Sequence, residues 1–160
     1  MIREVQHKDI PQITSIYNHY VRESIATFDT VEREVEEMET KLMDIAACYP
    51  FLVYDQEGTI HAYAYASQWK IRKAYDQTVE SSIYLAPGAE GKGIGTELYA
   101  ALMEELKKTD IHTVLGGISV PNPASIALHK KLGFTESGTL KEVGLKFGKR
   151  IDVCYYQLYL

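Results

Sequence analysis

The chain has 160 residues, 46% hydrophobic and 24% charged, the balance of a folded globule long enough to bury about 70% of its unfolded surface. A formal net charge of −5 argues against a general nucleic-acid binder, so any anion site must be local. Residues 1–9 hold no apolar core of signal length and no stretch approaches ~20 apolar residues, so we expect one cytoplasmic domain over 1–160 with no membrane partner. Cys48 and Cys154 have no C-x-x-C or Cys/His ligand spacing, which predicts free thiols and no metal site.

In chain order, residues 2–6 read as a short strand, and Asp9 with Gln12 reads as a capping box for a helix carrying Ile13, Ile16, Tyr17 and Tyr20. A second helix is expected from about Asp29 or Thr30, with Val31, Val35, Met38, Leu42 and Ile45 on one stripe and the glutamates 32, 34, 36, 37 and 39 largely elsewhere as a solvated face. Residues 51–54 and 60–68 read as a hairpin in which Ala62, Ala64 and Ala66 alternate with His61, Tyr63 and Tyr65. The run from Trp69 to Asp76 is aromatic and basic in an acidic protein, suiting a loop for an anionic ligand, and the strand 78–85 then places Glu80 and Tyr84 on one face, close to the glycine-rich stretch that follows.

In that stretch Pro87 and Gly88 stop the strand, Gly91, Gly93 and Gly95 recur at every second position, and Leu98, Leu102 and Leu106 have helical spacing. Glycines let backbone N–H groups approach an anion, the helix N-terminus adds a favourable dipole, and Lys92 adds a positive charge; a tight strand-to-helix turn is the plainer reading. A Walker loop is excluded because Gly93 follows Lys92, and the G-x-G-x-G run is not the G-x-G-x-x-G of a dinucleotide fold. Residues 113–118 suggest a buried strand, Asn122-Pro123 opens a helix ended by Gly133, and strands at 134–147 and 150–159 close an order β-α-α-β-β-β-α-β-α-β-β, a mixed α/β class.

The loop Glu90–Gly95 resembles the Q/R-x-x-G-x-G/A pyrophosphate loop of the GNAT superfamily of N-acetyltransferases, with Glu90 in place of Gln or Arg and expected to point to solvent. Asn122-Pro-Ala-Ser-Ile-Ala-Leu-His-Lys-Lys-Leu-Gly-Phe134 is similar to the late helix of the same superfamily. Asn18-His-Tyr, Trp69-Lys-x-Arg-x-Ala-Tyr-Asp-x-Thr-Val-Glu-Ser, Gly138-Thr-Leu and Lys146-x-Gly resemble its phosphinothricin and methionine sulfone/sulfoximine N-acetyltransferase branch, over nearly the whole chain. The resemblance implies a GNAT-like mixed central sheet flanked by helices, acetyl-coenzyme A as cosubstrate, a small amino-acid analogue as acceptor and a homodimer. It places coenzyme A on Ile83, Tyr84 and Leu85, the pyrophosphate on Gly91, Lys92, Gly93, Ile94, Gly95 and Thr96, and the pantetheine arm near Asn122, with Lys131 either reaching a phosphate or lying on the helix surface. It places the acceptor against Tyr20, Lys70, Arg72, Tyr75 and Glu80.

Acetyl transfer needs a free amine, and an α-amino group of pKa ~8 is roughly nine-tenths protonated at neutral pH, so a base is useful. Glu80 is the candidate, against a structurally paired carboxylate; His129 either protonates the departing thiolate or holds the coenzyme. No Ser/His/Asp order or cysteine motif appears, which favours direct transfer in a ternary complex. A non-catalytic coenzyme A-binding regulator, or an acetyltransferase of proteins or other amines, are the competing readings. Retention of Glu80 argues against the regulator, and the basic 69–76 segment favours a small anionic acceptor.

Overall fold

A computed structural model describes residues 1–160. One seven-stranded sheet, in the order β1-β2-β3-β4-β5-β7-β6, runs through the molecule. Its strands are β1 (Ile2–Glu4), β2 (Phe51–Gln56), β3 (Thr59–Gln68), β4 (Thr78–Leu85), β5 (Thr113–Val120), β6 (Thr135–Lys146) and β7 (Lys149–Tyr159). The helices are α1 (Ile10–Glu23), α2 (Val35–Cys48), α3 (Ile94–Leu106) and α4 (Pro123–Lys131), which reproduces the expected order of elements. All neighbouring strands are antiparallel except β4 and β5, so the sheet is mixed.

Each face of the sheet has its own core. On one, Leu98, Leu102 and Leu106 of α3 are fully buried against Ala62, Ala64, Ala66, Val79 and Val114. The alanine row of β3 lets α3 approach closely, and each buried leucine contributes about 1.5–3 kcal/mol. On the other face, Ile10, Ile13 and Ile16 of α1 and Met38 and Leu42 of α2 pack on Phe51, Val53, Ile60 and Tyr63. The period-2 alternation of β3 therefore sends its alanines to α3 and Tyr63 to the α1/α2 side.

Two local expectations are corrected. Asp9 does not cap α1 through Gln12: its carboxylate accepts from the Gln6 N–H at 2.8 Å and holds the Arg3 guanidinium with two bonds of 2.7 and 2.8 Å. Gln12 instead bridges to Gly58 O and Ile60 N, both at 3.0 Å. The second helix starts at Val35 rather than near Asp29, and Val31 is 74% exposed. Asp29 is engaged by Tyr17 Oη at 2.6 Å and by two Arg33 bonds of 3.0 Å, which hold residues 29–33 out of helical register.

Candidate active site

The strands β4 and β5 are paired only at Thr78↔Thr113, Val79↔Val114 and Glu80↔Leu115, although each has eight residues. Beyond that point they part, and β4 from Ser81 and β5 from Gly116 face each other across an open V in the sheet. Alternation against β3 turns the backbone N–H and C=O of Ile83 and Leu85 into this V, because Ala86 N–H bonds to His61 O on the β3 side. An extended ligand with amide groups can complete that edge as a missing strand would.

The wide end of the V leads to the glycine loop. Gly88, Gly91 and Gly93 have φ of 81°, 74° and 83°, where a side chain is strained, and Gly93 is the left-handed N-cap of α3. No side chain caps this helix, and its first internal bond is Glu97 N–H to Gly93 O at 3.0 Å. The amides just before Glu97 are thus free to bind an anion at the positive end of the helix dipole. Glu90 is exposed but does not simply face solvent: its carboxylate accepts from Gly88 N–H at 2.8 Å, bracing the loop from within.

Glu80 stands at the narrow end, about 17 Å along the strand from Leu85 at ~3.3 Å per residue, so the expectation that it lies close to the glycine loop is corrected. Burial pushes its carboxyl above the ordinary glutamate range, and no cation pairs with it. A Cβ on Gly117 of β5 would lie 3.1 Å from Glu80 Oε1 and 3.2 Å from the Tyr155 ring. Trp69 meets Tyr155 edge-on at 5.4 Å, and the Lys70 ammonium sits 5.4 Å from the Trp69 ring and 5.6 Å from Tyr75. Arg72 is exposed and has no carboxylate partner, so the guanidinium is available to an anion.

His129 lies on the opposite, α3 face of the same vertex and is 3% exposed. Its Nδ1 is 2.8 Å from Ser125 O, an atom that can only accept, so Nδ1 carries the proton and Nε2 accepts from Tyr99 Oη at 3.1 Å. Tyr99 Oη in turn accepts from Ser81 Oγ at 2.5 Å, and Leu115 O lies 3.3 Å from the same Oγ across the vertex. Burial lowers the His129 pKa against the smaller upward pull of Ser125 O, which keeps the ring neutral.

Three sequence-predicted residues take unexpected places. The Tyr20 hydroxyl donates to Leu85 O at 2.9 Å and receives Leu85 N–H at 3.3 Å, so Tyr20 sits at the glycine-loop end of β4, separated from Lys70, Arg72 and Tyr75, which precede β4. Asn122 Oδ1 caps α4 through Ser125 N–H at 3.1 Å, leaving only its amide NH₂ for a ligand. Lys131 is exposed at the end of α4. The residues that sequence reasoning missed are Gly116, Gly117, Tyr99, Ser81 and Tyr155; the available signal was a Gly-Gly pair inside a strand, which marks a close approach.

No three His, Cys, Asp or Glu side chains converge as a metal site requires. A surface hollow of about 460 Å³ beside Met43, Cys48 and Tyr49 shares no residue with β4 or β5. The open strand edge, the uncapped helix and the half-buried carboxylate together form an arrangement suited to chemistry on an extended anionic ligand.

The sequence matches the family described as Acetyltransferase (GNAT) domain over residues 2–155. It is 41% identical over 160 residues to a phosphinothricin N-acetyltransferase of Streptomyces coelicolor, covering 98% of this chain and 94% of that protein. It is 36% identical over 164 residues to an L-methionine sulfoximine/L-methionine sulfone acetyltransferase of Salmonella typhimurium, covering 99% and 94%. Among solved structures, a phosphinothricin acetyltransferase from Sinorhizobium meliloti in complex with AcCoA superposes with a TM-score of 0.96 at 36% identity, over 100% of this chain and 88% of that one. A ribosomal-protein-alanine N-acetyltransferase from Brucella melitensis superposes with a TM-score of 0.97 at 35% identity, over 100% and 99%.

Proposed function

The chain belongs to the GNAT family of acetyltransferases and is an acetyl-coenzyme A-dependent N-acetyltransferase, and we propose that it acetylates the α-amino group of a small amino-acid analogue bearing a phosphinate, sulfone or sulfoximine tail. The observation that carries this reading is the unpaired, half-buried Glu80 at the vertex of the V, with the basic 69–76 arm beside the same strand end.

Acetyl-coenzyme A supplies an activated acetyl thioester. The free N–H groups at the start of α3, with Gly91, Lys92 and Gly93, hold its diphosphate; Ile83 offers the strand edge to the pantetheine amides, and the Asn122 amide flanks them from α4. The Tyr20 hydroxyl must leave the Leu85 backbone before a ligand can use that position, so Tyr20 is assigned to the coenzyme end rather than to the acceptor. Glu80 takes the amine proton, directly or through water, a step of general-base help typically worth about 10²–10⁴ in rate. Arg72 holds the acceptor carboxylate with paired hydrogen bonds that a lysine cannot copy, while Lys70 and Tyr75 border it. Because His129 is neutral and its Nε2 accepts from Tyr99, it acts by holding the vertex rather than as an imidazolium acid.

We place the enzyme in the cytoplasm, acting as one domain over 1–160 and as a homodimer without nucleic-acid or membrane partners. Support for the dimer comes from the open edge strand β6, where Leu140, Val143 and Leu145 are each more than half exposed, as is Phe147 in the turn that follows. No helix is long and apolar enough to cross a membrane.

The test is a screen for acetyl-coenzyme A-dependent thiol release with phosphinothricin, methionine sulfone and methionine sulfoximine against alanine-initiated peptides and polyamines. Turnover of the amino-acid analogues is expected, and Arg72→Lys should raise the KM for methionine sulfone about tenfold, the equivalent of ~1.4 kcal/mol, with little change for acetyl-coenzyme A. Peptide-only turnover would overturn the acceptor assignment, and acetyl-coenzyme A binding without any turnover would favour a regulator.

A further inference from the structure

Lys146, from the Lys-x-Gly run at the end of β6, is only 3% exposed. Its ammonium donates to three main-chain carbonyls, Tyr20 O at 3.2 Å, Ser24 O at 2.6 Å and Thr27 O at 2.8 Å, so all three of its N–H donors are used. No carboxylate pairs with it; the negative end of the α1 dipole and the more distant Asp29 are the compensating charges. A charge buried this way is costly to retain for packing alone, since an apolar side chain would fill the space.

The three carbonyls draw residues 20–27 into a hook. Thr27 Oγ1 then lies 2.9 Å from Tyr17 Oη and accepts Asp29 N–H at 3.2 Å, while Tyr17 Oη donates to Asp29 at 2.6 Å. Arg33 binds Asp29, and the Asn18 side chain makes two bonds of 2.9 Å to the Arg33 main chain. Tyr17 meets Tyr84 edge-on at 5.6 Å, and Tyr84 shares a face of β4 with Glu80. Two residues before Lys146, Gly144 is buried so tightly under Phe28 that a Cβ there would overlap the Phe28 ring. The tip of the β6–β7 hairpin thus grips the α1–α2 connection at two adjacent points of one face.

We propose that Lys146 is a positioning residue for acceptor binding: by fixing the 24–33 connection it sets the wall of the acceptor side through Tyr17 and Tyr84. This inference rests on the Glu80 face being the acceptor side. Towards the coenzyme end the cage reaches Leu85 through the Tyr20 hydroxyl; Tyr84, which packs on both Tyr17 and Tyr20, turns its side chain to the Glu80 face and its main chain to β3, so it borders the acceptor side rather than the open strand edge.

The experiment is steady-state kinetics of Lys146→Met with whichever amine the wild-type enzyme acetylates, together with amide hydrogen exchange. The acceptor KM should rise at least tenfold while that of acetyl-coenzyme A stays within twofold, and exchange across residues 24–33 should quicken while α3 stays protected. Gly144→Ala, which displaces Phe28 with the cage intact, should give the same split and decides the matter if Lys146→Met fails to fold. An unchanged acceptor KM in a folded variant, or equal rises for both substrates, overturns the proposal. Wild-type inactivity toward sulfone amino acids with activity toward another amine would refute only the acceptor assignment above, because the KM split is then measured with that other amine.

Discussion

Gly116 of β5 lies so close beneath the His129 imidazole that a Cβ at residue 116 would overlap Nε2 and Cδ2 of the ring. That nitrogen receives the Tyr99 hydroxyl, and Nδ1 is committed to Ser125 O, so the ring has no alternative seat with both bonds intact. Gly116→Ala should therefore lower kcat by about 10²-fold, the scale of a ~1 Å misplacement at a reacting centre. Kinetics combined with ¹⁵N NMR of His129 would check it: loss of the Nδ1–H tautomer should accompany the loss of rate, and full activity would show that the vertex tolerates displacement.

Glu80→Gln should separate activity from stability. Burial raises the folded-state pKa of Glu80 above its unfolded value, so folding takes up a proton between the two values and the ionised carboxylate opposes folding at higher pH. The Gln variant should melt higher than wild type at neutral pH, with the gap closing as pH falls through the raised folded value towards the unfolded one. Its kcat should fall about 10²–10⁴-fold and lack the acid limb expected of wild type, with partial recovery at alkaline pH as the amine deprotonates. Identical pH–rate profiles for the two proteins would remove Glu80 as the base.

The glycine loop should be sensitive at Gly93 and tolerant at Gly95. Gly93 has φ of 83°, where alanine pays about 1–2 kcal/mol, whereas a Cβ on Gly95 would sit in ordinary contact, 3.4 Å from Leu85 and 3.8 Å from Leu128. Calorimetry without added metal should show acetyl-coenzyme A binding weakened about tenfold by Gly93→Ala and little by Gly95→Ala. Equal losses would mean that the turn geometry does not govern diphosphate binding.

Asp9 provides a stability control remote from the V. Its burial pushes the carboxyl up, but the paired Arg3 bonds, the Gln6 N–H and the Arg3 charge together outweigh this and leave the pKa depressed. The stabilisation is fully present above the unfolded aspartate pKa and is lost as pH falls through the depressed folded value. Asp9→Asn should cost about 3 kcal/mol in urea unfolding at neutral pH, because Arg3 loses a largely buried partner, and the difference should shrink in acid. Catalytic constants of the folded variant should be unchanged.

The sequence by itself determined the features that depend on near neighbours along the chain. The leucines of α3, the alternation of β3, the glycines that need left-handed dihedrals and the Asn122-Pro123 helix start all follow from periodicity and backbone sterics within a few residues. The faces of β4 followed too, since side chains alternate strictly, and so Glu80 and Ser81 were bound to opposite sides of the sheet. Local rules misplaced the start of α2 because the Asp29–Arg33–Tyr17 cluster that delays it joins residues whose meeting depends on the folded chain.

Only the tertiary structure decided where β4 and β5 part, because strand divergence is set by pairing between segments more than thirty residues apart. That divergence makes the V, puts Gly116 under His129 and Gly117 against Glu80, and gives a Gly-Gly pair its meaning. Tertiary packing also sends Tyr20 to the Leu85 end of β4 rather than to the acceptor arm, and buries Lys146 among carbonyls some 120 residues earlier in the chain. Such contacts are fixed by the packing of both sheet faces at once, which no stretch of sequence contains.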